Sequence, residues 1–497
     1  MVEIFFPVSI LSAVAVVFVG GPNDVPAADA DRVHDGAVAG DLKGRSVAML
    51  GDIDGDGKSE YAVASRAEPP AGSAEGRVTV YSGATGLEVA VLSGENAFDQ
   101  FGASVACAGD VDDDGLPDLI VGAWGNGAGG TGAGRAYVYS AAAGVPIYTI
   151  TGSGAGDNLG TSVAGAGDVN NDGFDDFIVG APTNDTAGSN TGLVQVFSGF
   201  DGSVLHAVSG ANANDRLGNS VAGVGDINGD GHDDFVSGAH LFDDGGPASA
   251  NMGQVNVYSG LDGSVIYSLT GEEDGDNFGW AVAGVGDIDG DLVPDIAIGA
   301  PLHDGPGIAN AGRVYLVSGV TGTVIHSFTG EGVSDKLGLR VASAGDVDGD
   351  GSADVLSGAW FWDESDDPSD NRGRAWIWSG QTGDVLCSFT GEAADDHLGR
   401  YIAGGDDVNG DGTPDVLIAA RDSDSVATDA GRAYVFLLQP AVCVADVNGD
   451  GVLTPSDFTA WIAAFNTNSP ECDQNDDGLC TPTDFSAWIT NFNAGCP

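Results

Sequence analysis

The chain alternates short apolar strands with polar turns, and the same order of elements recurs seven times. In the third copy, an alternating strand at residues 159–164 precedes an acidic turn at 168–176 and an apolar run at 177–182. Two further apolar runs, at 193–199 and 202–210, complete this copy. Alternation indicates a strand with one buried face, whereas a short continuous apolar run indicates a strand buried on both faces. Four short strands per repeat, separated by turn residues, predict one blade of a β-propeller.

The spacing of the acidic turn sets the number of blades. The seven turns begin at Asp52, Asp110, Asp168, Asp226, Asp287, Asp346 and Asp407, at intervals of 58, 58, 58, 61, 59 and 61 residues. A period sustained in this way indicates a repeat architecture. We therefore predict an all-β fold, a seven-bladed propeller over residues 31–439.

The two ends of the array predict how the ring closes. The seventh copy stops after its third strand, at residues 432–436. Residues 33–36 precede Lys43-Gly44 by the same offset as residues 91–94 precede Phe101-Gly102. We therefore expect the N-terminal segment to supply the fourth strand of blade 7, which would leave no exposed sheet edge at the junction.

Each acidic turn carries oxygen-bearing side chains at positions 1, 3, 5 and 9, with a turn residue at position 6. This spacing suits a hard cation such as calcium, which takes six to eight oxygen ligands. The predicted ligands are Asp52, Asp54, Asp56 and Glu60; Asp110, Asp112, Asp114 and Asp118; Asp168, Asn170, Asp172 and Asp176; Asp226, Asn228, Asp230 and Asp234; Asp287, Asp289, Asp291 and Asp295; Asp346, Asp348, Asp350 and Asp354; and Asp407, Asn409, Asp411 and Asp415. We expect up to seven Ca²⁺ ions, bound more weakly in blade 5, where Leu292 replaces glycine, and in blade 1, which ends in Glu60.

Two short motifs identify the repeat. Phe-Gly or Leu-Gly opens the copies, as at Phe101-Gly102 and Leu217-Gly218, and Gly-Ala-Pro closes the second strand at residues 180–182 and 299–301. The repeats resemble FG-GAP repeats, the units of the integrin alpha-subunit propeller, over roughly residues 31–438. The resemblance implies that the calcium loops lie on one rim and that partners bind the opposite face, built from the loops after Gly-Ala. The candidates for ligand contact there are Trp124, His240, Phe242, Trp360, Phe361 and Trp362; alternatively, these side chains cap the core of their own blade.

Beyond residue 440 the pattern changes to two 12-residue loops with EF-hand-like spacing. Their predicted ligands for two further Ca²⁺ ions are Asp446, Asn448, Asp450 and Asp457, and Asp473, Asn475, Asp477 and Asp484. Each loop leads into an amphipathic helix, with apolar residues at Phe458, Trp461, Ile462 and Phe465 and at Phe485, Trp488, Ile489 and Phe492. Residues 441–497 resemble a dockerin domain, which implies a cohesin-like receptor as partner. Residues 455–456 and 482–483 depart from the recognition residues of dockerins. The cysteines Cys443, Cys472, Cys480 and Cys496 allow three disulfide pairings.

The net charge and the N-terminal apolar segment predict an extracellular protein. A net charge of −58 disfavours nucleic acid and anionic membranes as partners. Residues 4–20 form an apolar run, and residues 28–30 form an A-x-A motif, which together predict a signal peptide over residues 1–30; an uncleaved anchor is the alternative. Export also agrees with the cysteine pairs predicted for the C-terminal module. We therefore expect a secreted or cell-surface protein with a monomeric propeller.

The sequence favours binding over catalysis. None of the metalloprotease, nucleophile-elbow or phosphate-loop motifs occurs, and the metal pattern already accounts for the many aspartates. We predict a non-enzymatic, calcium-dependent binding or adhesion propeller for a protein or polysaccharide ligand, tethered by the dockerin-like tail. The alternative is a carbohydrate-active lyase or hydrolase, which would need a cluster of polar catalytic groups on the ligand face; the sequence offers Arg372 and Arg421 but no evident cluster. A third possibility is a rigid spacer.

Overall fold

The computed structural model describes residues 16–17, 23–66, 75–140, 145–243, 251–364, 370–439 and 455–467, together with residues 485 and 488. Seven antiparallel sheets of this part of the chain are the blades of a propeller. The predicted all-β seven-bladed propeller is therefore confirmed.

Each blade consists of four consecutive short strands, except blade 7. The first three blades contain β4 Val47–Gly51, β5 Glu60–Ser65, β6 Arg77–Tyr81 and β7 Glu88–Ser93; β8 Ser104–Gly109, β9 Asp118–Ala123, β10 Arg135–Tyr139 and β11 Pro146–Thr151; and β12 Ser162–Gly167, β13 Asp176–Ala181, β14 Leu193–Phe197 and β15 Val204–Ser209. Blades 4 to 6 contain β16 Ser220–Gly225, β17 Asp234–Ala239, β18 Gln254–Tyr258 and β19 Val265–Thr270; β20 Ala281–Gly286, β21 Asp295–Ala300, β22 Arg313–Val317 and β23 Val324–Thr329; and β24 Arg340–Gly345, β25 Asp354–Ala359, β26 Arg374–Trp378 and β27 Val385–Thr390. Blade 7 contains β28 Tyr401–Asp406, β29 Asp415–Ala420, β30 Arg432–Phe436 and the N-terminal strand β3 Arg32–Asp35.

The first strands of the blades form the inner wall of the ring. Each contacts the first strand of the blades on either side, and β28 of blade 7 lies beside β4 of blade 1. The second strand of every blade is buried along its whole length, as its continuous apolar sequence predicts. The core is therefore divided among the interfaces between successive blades.

The N-terminal strand β3 ties blade 7 to blade 1. It pairs antiparallel with β30 over its four residues, in the place of a fourth strand. From this strand, the Arg32 guanidinium donates to the Gly83 carbonyl of blade 1 at 2.6 Å. The His34 ring stacks on Tyr81 of blade 1 with centroids 3.8 Å apart. Both ends of the propeller sequence thus meet in one sheet.

A second N-terminal strand, β2 Asn23–Pro26, extends blade 6. It pairs in parallel with β27, and the Asp24 carboxylate accepts a hydrogen bond from Thr390 Oγ1 at 2.8 Å. Val25 and Ala27 are buried against the same blade. The two-residue strand β1 Val16–Val17 pairs with β31 Leu438–Gln439. A signal peptide ending at residue 30 would include both strands, so the position of cleavage stays a prediction.

The Phe-Gly or Leu-Gly motif docks each blade on the preceding one. Its apolar side chain is buried in blades 2 to 7, at Phe101, Leu159, Leu217, Phe278, Leu337 and Leu398. At the first of these junctions, the Phe101 amide donates to the Glu75 carbonyl at 3.1 Å. Gly76 lies so close that a Cβ there would come within 2.0 Å of the Phe101 carbonyl oxygen, and its φ is +90°. The glycine before each third strand is therefore required by the close approach of two backbones.

The described part of the C-terminal region contains one helix, α1 Pro455–Thr467. Trp461 is buried, and Phe458 contacts Phe485 and Trp488 with ring centroids 5.5 and 5.2 Å apart. Ile462, predicted on the apolar face of this helix, is 41% exposed.

No helix among the described residues has the length and apolar character needed to cross a membrane.

Most ligands of the two predicted C-terminal calcium sites lie outside the described residues. The ligands concerned are Asp446, Asn448, Asp450, Asp473, Asn475, Asp477 and Asp484, together with the side chain of Asp457 and the four clustered cysteines. The calcium-binding, dockerin-like module therefore stays a prediction.

Candidate metal centres and ligand-binding face

The acidic loops connect the first and second strands of the blades and fold around their first aspartate. In blade 4, the amides of Gly229 and Asp230 donate to Asp226 Oδ1 at 2.7 and 3.1 Å, and the Gly231 amide donates to Asp226 Oδ2 at 2.9 Å. The Asp230 amide also donates to Asn228 Oδ1 at 2.9 Å. Glycines at positions 4 and 6 adopt positive φ to make this turn. These hydrogen bonds fold the blade 4 loop around the side chains of Asp226 and Asn228.

The carboxylate at position 9 is the buried anchor of each loop. In blade 4, Asp234 Oδ2 accepts from the Ile227 amide at 3.1 Å and Oδ1 accepts from the Gly260 amide at 2.9 Å. The equivalent carboxylates are also fully buried, at Glu60, Asp118, Asp176, Asp295, Asp354 and Asp415. The first residue of the second strand therefore joins the acidic loop to the turn that follows the blade's third strand.

Burial and neighbouring carboxylates raise the pKa values of six of these anchors. Burial is the larger cause, and it raises the pKa of Asp234 and Asp295 to about 6 and that of Asp354 and Asp415 to about 8. Other carboxylates of the same loop raise them further, whereas backbone amide donors lower them. A divalent cation between the carboxylates would reverse the shift, because it stabilises the ionised form.

Four loops bring three carboxylates together, with oxygen atoms within 4.8 Å of one another. These groups are Asp52, Asp54 and Glu60; Asp110, Asp112 and Asp118; Asp287, Asp289 and Asp291; and Asp346, Asp348 and Asp354. The other three loops have asparagine at position 3. In blade 3, Asn170 Oδ1 is buried and has no hydrogen-bond partner, as an oxygen reserved for a metal would be. An all-oxygen donor set fits a hard cation such as Ca²⁺.

The loops of neighbouring blades are linked around the rim. The Asp175 carboxylate of blade 3 accepts from the Asp110 amide of blade 2 at 2.8 Å. The Asp233 carboxylate of blade 4 accepts from the Asp168 amide of blade 3 at 2.9 Å. A backbone hydrogen bond from Ser59 to the Asp407 carbonyl links blade 1 to blade 7. When one loop is ordered, these hydrogen bonds therefore also hold the backbone of the first ligand in the neighbouring loop.

The two loops predicted to bind calcium more weakly have the same backbone fold as the other loops. Leu292 in blade 5 takes the strained turn with φ +69°, and its amide still donates to Asp287 Oδ2 at 2.7 Å. Its side chain is 90% exposed. Glu60 in blade 1 accepts from the amides of Ile53 and Gly83 at 3.0 and 3.2 Å. Lower metal affinity in these loops stays a prediction.

We expect Leu292→Gly to tighten the blade 5 site. Glycine adopts positive φ without the steric penalty of roughly 1–2 kcal/mol that an L-residue meets there. The exposed leucine side chain makes no buried contact that would be lost. Calcium titration of the variant should therefore give one site with several-fold higher affinity, and thermal unfolding should shift upward. Gly351→Ala, at the equivalent position of blade 6, is the matched control and should do the opposite; equal affinity in all three proteins would contradict the strain argument.

The opposite face holds the residues predicted to contact a ligand. Phe242 and Trp362 pack against hydrophobic cores, and His240 is buried beside the Trp280 ring at 4.7 Å. Ligand contact by these three residues stays a prediction, as does the alternative that they cap their own blade. Trp124 is half-buried.

Trp360 and Phe361 belong to a different group. Their rings lie 4.1 Å apart and both contact the His397 ring at 5.2 Å. The Arg400 guanidinium lies 3.6 Å from the centroid of Trp360. Phe361 in turn contacts the Lys336 ammonium, 4.5 Å from its ring centroid, and both half-buried aromatic residues lie outside the hydrophobic core clusters of the described residues.

The sequence reading missed an arginine cluster on this face. Arg421 and Arg400 both contact the Asp422 carboxylate, at 3.2 and 3.1 Å, whereas Arg372 forms ion pairs elsewhere with residues 364 and 370. We call the cluster the arginine arc; its members are Arg45, Arg66, Arg340, Arg400 and Arg421. They come from blades 6, 7 and 1, which are consecutive only once the ring closes. Aligning the repeats on one another could have revealed it, because blades 2 to 5 have no charged residue at the equivalent positions.

Comparisons with known proteins agree with this architecture. The FG-GAP repeat family matches residues 101–139, 159–197, 278–317 and 399–436, which are the first three strands of blades 2, 3, 5 and 7. Integrin alpha-V of Gallus gallus is 31% identical over 235 residues, covering 44% of this chain and 21% of that protein. Integrin alpha-5 of Xenopus laevis is 31% identical over 237 residues, with the same coverage, and integrin alpha-PS2 of Drosophila melanogaster is 28% identical over 263 residues, covering 48% and 17%. The chain thus contains FG-GAP repeats and is homologous to about a fifth of the length of integrin alpha subunits.

Proposed function

We propose that the chain is an extracellular, non-enzymatic binding protein in which a calcium-loaded propeller presents a ligand-binding face for adhesion. The observation that carries the proposal is the division of the propeller into two faces. One rim holds seven acidic loops of a common design, and the opposite face varies from blade to blade in charge and aromatic content. Integrin alpha homologues, which are adhesion receptors on the cell surface, support an extracellular role.

The calcium loops serve this function by fixing the blades rather than by touching the ligand. Each loop holds the first and second strands of its blade together, and its position 9 anchor reaches the turn after the third strand. The ligand-binding loops leave the opposite ends of the same strands. We propose up to seven Ca²⁺ ions in the propeller and two in the tail, whose dockerin-like module would tether the protein to a cohesin-like receptor on a scaffold or cell surface.

The test is capture of partners from secreted and cell-surface material by the full chain, with calcium and with chelator. We expect a specific partner that is retained only with calcium and that is weakened at least tenfold by Trp360→Ala, because this ring lies on the ligand face and outside the core. Trp376→Ala is unsuitable as a comparison because that ring is buried. Phe200→Ala, an exposed aromatic between the third and fourth strands of blade 3, is the matched control and should bind normally. Retention of the partner in chelator would contradict the role of the metal.

A second candidate, a polysaccharide lyase, is favoured by one specific observation. Tyr401 lies within the arginine arc, and the Arg340 guanidinium lies 4.8 Å from the centroid of its ring. Burial raises the pKa of Tyr401, but four of the arc's guanidinium groups outweigh burial and hold the pKa below its usual value. A tyrosine with a lowered pKa is suited to act as a base. Release of unsaturated products from a panel of polysaccharides, abolished by Tyr401→Phe, would replace the binding proposal with this one.

A further inference from the structure

The mouth of the central channel, on the face opposite the calcium loops, is a polar cavity of about 310 Å³ to which all seven blades contribute. Its wall is made by the residues that open the first strand of each blade. These residues occupy two or three equivalent positions per repeat, so they can be compared directly from blade to blade. Their chemistry divides the wall into two unlike halves.

The side of the cavity at blades 6 and 7 is cationic, because Arg340 and Tyr401 line it and the positive charges of Arg45, Arg400 and Arg421 act on Tyr401. At the first residue of the inner strand, blade 6 has Arg340 where blades 2, 3 and 4 have serine; one residue earlier, blades 1 and 7 have Arg45 and Arg400. Arg421 and Arg66 follow the second strands of blades 7 and 1. Together these are five of the 16 lysine and arginine residues of a chain with net charge −58. Asp422 is the one carboxylate that forms an ion pair with the arc among the described residues.

One member of the arc, Arg45, has unused hydrogen-bonding capacity. Arg45 is only 9% exposed, and its Nη2 donates to Gln100 Oε1 at 2.6 Å, but its buried Nη1 has no acceptor. An unpaired buried donor costs free energy unless a ligand or water supplies the acceptor. Burial lowers the pKa of Arg45 to about 10; Tyr401 raises this pKa, whereas the positive charges of Arg421 and Arg66 lower it further. An anion at this position would satisfy the free donor and relieve the repulsion.

The other half of the wall is neutral and rich in hydroxyl groups. It consists of Ser46, Ser104, Thr161, Ser162, Asn219 and Ser220. The hydroxyls of Ser104 and Ser162 donate to the carbonyls of Gly160 and Gly218 at 3.0 and 2.8 Å, which leaves their lone pairs as acceptors toward the cavity. The Trp280 ring stands between this half and blade 6. A ligand that matches the whole wall therefore carries an anionic group on one side and hydroxyl donors on the other.

We infer that the channel mouth binds a uronic-acid unit of an acidic polysaccharide, with its carboxylate on the arginine arc and its hydroxyls on the serine-rich half. Arginine's planar fork pairs with carboxylates in a bidentate manner. An aspartate or glutamate side chain of a protein would satisfy the arc but would leave the hydroxyl acceptors unused. The cavity volume suits one such sugar unit inserted from a chain end. This inference rests on the proposed binding function and names its ligand class.

The test is calorimetric titration of the full, calcium-loaded chain with trigalacturonate. The methyl-esterified trimer keeps the hydroxyls but removes the charge, and a capped triglutamate peptide keeps the charge but lacks the hydroxyls. We expect trigalacturonate to bind and both analogues to bind at least tenfold more weakly. The double variant Arg45→Thr/Arg340→Ser should weaken binding of trigalacturonate at least tenfold. Threonine and serine occur at the equivalent positions of other blades, so the propeller should still fold.

The control is the double variant Arg135→Gln/Arg313→Gln. It removes the same charge from third strands, two strands farther from the channel, where these arginines pair with Glu95 and Glu272, and it should bind like the wild type. Absence of trigalacturonate binding, equal binding by the arc variant, or equal binding of triglutamate would overturn the inference. If one of these results is obtained but the chain still captures a protein partner in a calcium-dependent manner, the proposed binding function stands. The two failures are therefore distinguishable.

Discussion

A chain that begins at residue 37 should melt roughly 5–10 °C below a chain that begins at residue 31, because it lacks β3 and cannot complete blade 7. The two chains differ only in the six residues 31–36. Their loss removes the main-chain pairing with β30, the hydrogen bond from the Leu437 amide to Asp31 at 2.7 Å, and the ion pair between Asp35 and Arg432. At about 1 kcal/mol for each of about half a dozen hydrogen bonds, roughly 5 kcal/mol of stability is lost.

The loss should also be visible beyond the melting temperature. Without β3, strand β30 presents an unpaired edge, and exposed edges promote pairing with other chains. The His34 ring, stacked on Tyr81 at 3.8 Å and hydrogen-bonded to the Tyr61 hydroxyl at 2.9 Å, would leave a gap at the junction with blade 1. We therefore expect concentration-dependent association of the shorter chain in sedimentation experiments.

Both chains lack β2, so the extra strand of blade 6 cannot account for a difference between them. A third chain beginning at residue 23 measures the contribution of β2 separately, and we expect it to be smaller, because β2 adds to a sheet that is already complete. Melting of the chains that begin at residues 31 and 37 within about 1 °C of each other would contradict the closure argument.

The propeller could be predicted from the sequence because each blade repeats the same local rules. Turn glycines, buried second strands and acidic loops recur at a near-constant interval, so each copy supports the interpretation of the others. Even the strained Leu292 turn follows from its position in the loop. What the repeat predicts is the environment common to all blades.

Features that differ between blades were harder to predict. Arg45 and Arg400 are more than 350 residues apart in the sequence, and the ring brings their blades together only because it closes. The buried Lys43 replaces the Phe or Leu of the docking motif at the same junction, with its ammonium 5.2 Å from the Tyr81 ring centroid. The exposure of aromatic residues was also ambiguous: Trp360 and Trp362 are two residues apart, yet only Trp362 packs against a hydrophobic core.

Removal of divalent cations should have the largest effect on stability that the structure predicts. Each loop that binds calcium at a concentration one hundred times its dissociation constant stabilises the fold by about 2.7 kcal/mol. Several loops loaded together should therefore add well over 5 kcal/mol. Chelation should lower the melting temperature by more than about 10 °C, and calcium should restore it.

The physical reason is the concentration of like charge at one rim. In the loop of blade 6, the carboxylates of Asp346, Asp348 and Asp354 have oxygen atoms within 4.8 Å of one another. Such groups repel one another when ionised, and a cation converts that repulsion into coordination. Because the loops are hydrogen-bonded from blade to blade, as between Asp233 and Asp168, loss of one ion should also loosen the neighbouring loop.

Single substitutions can count the sites. Asp226→Asn keeps the size of the first ligand of blade 4 but removes its charge, so native mass spectrometry should find one calcium ion fewer and calorimetry a lower melting temperature. Asp201→Asn, outside the predicted ligand positions in blade 3, makes the same chemical change and should alter neither. If both variants bind the same number of ions, the blade 4 loop is not a calcium site. If chelator leaves the melting temperature of the unmodified chain unchanged, the acidic rim stabilises the propeller through its hydrogen bonds alone.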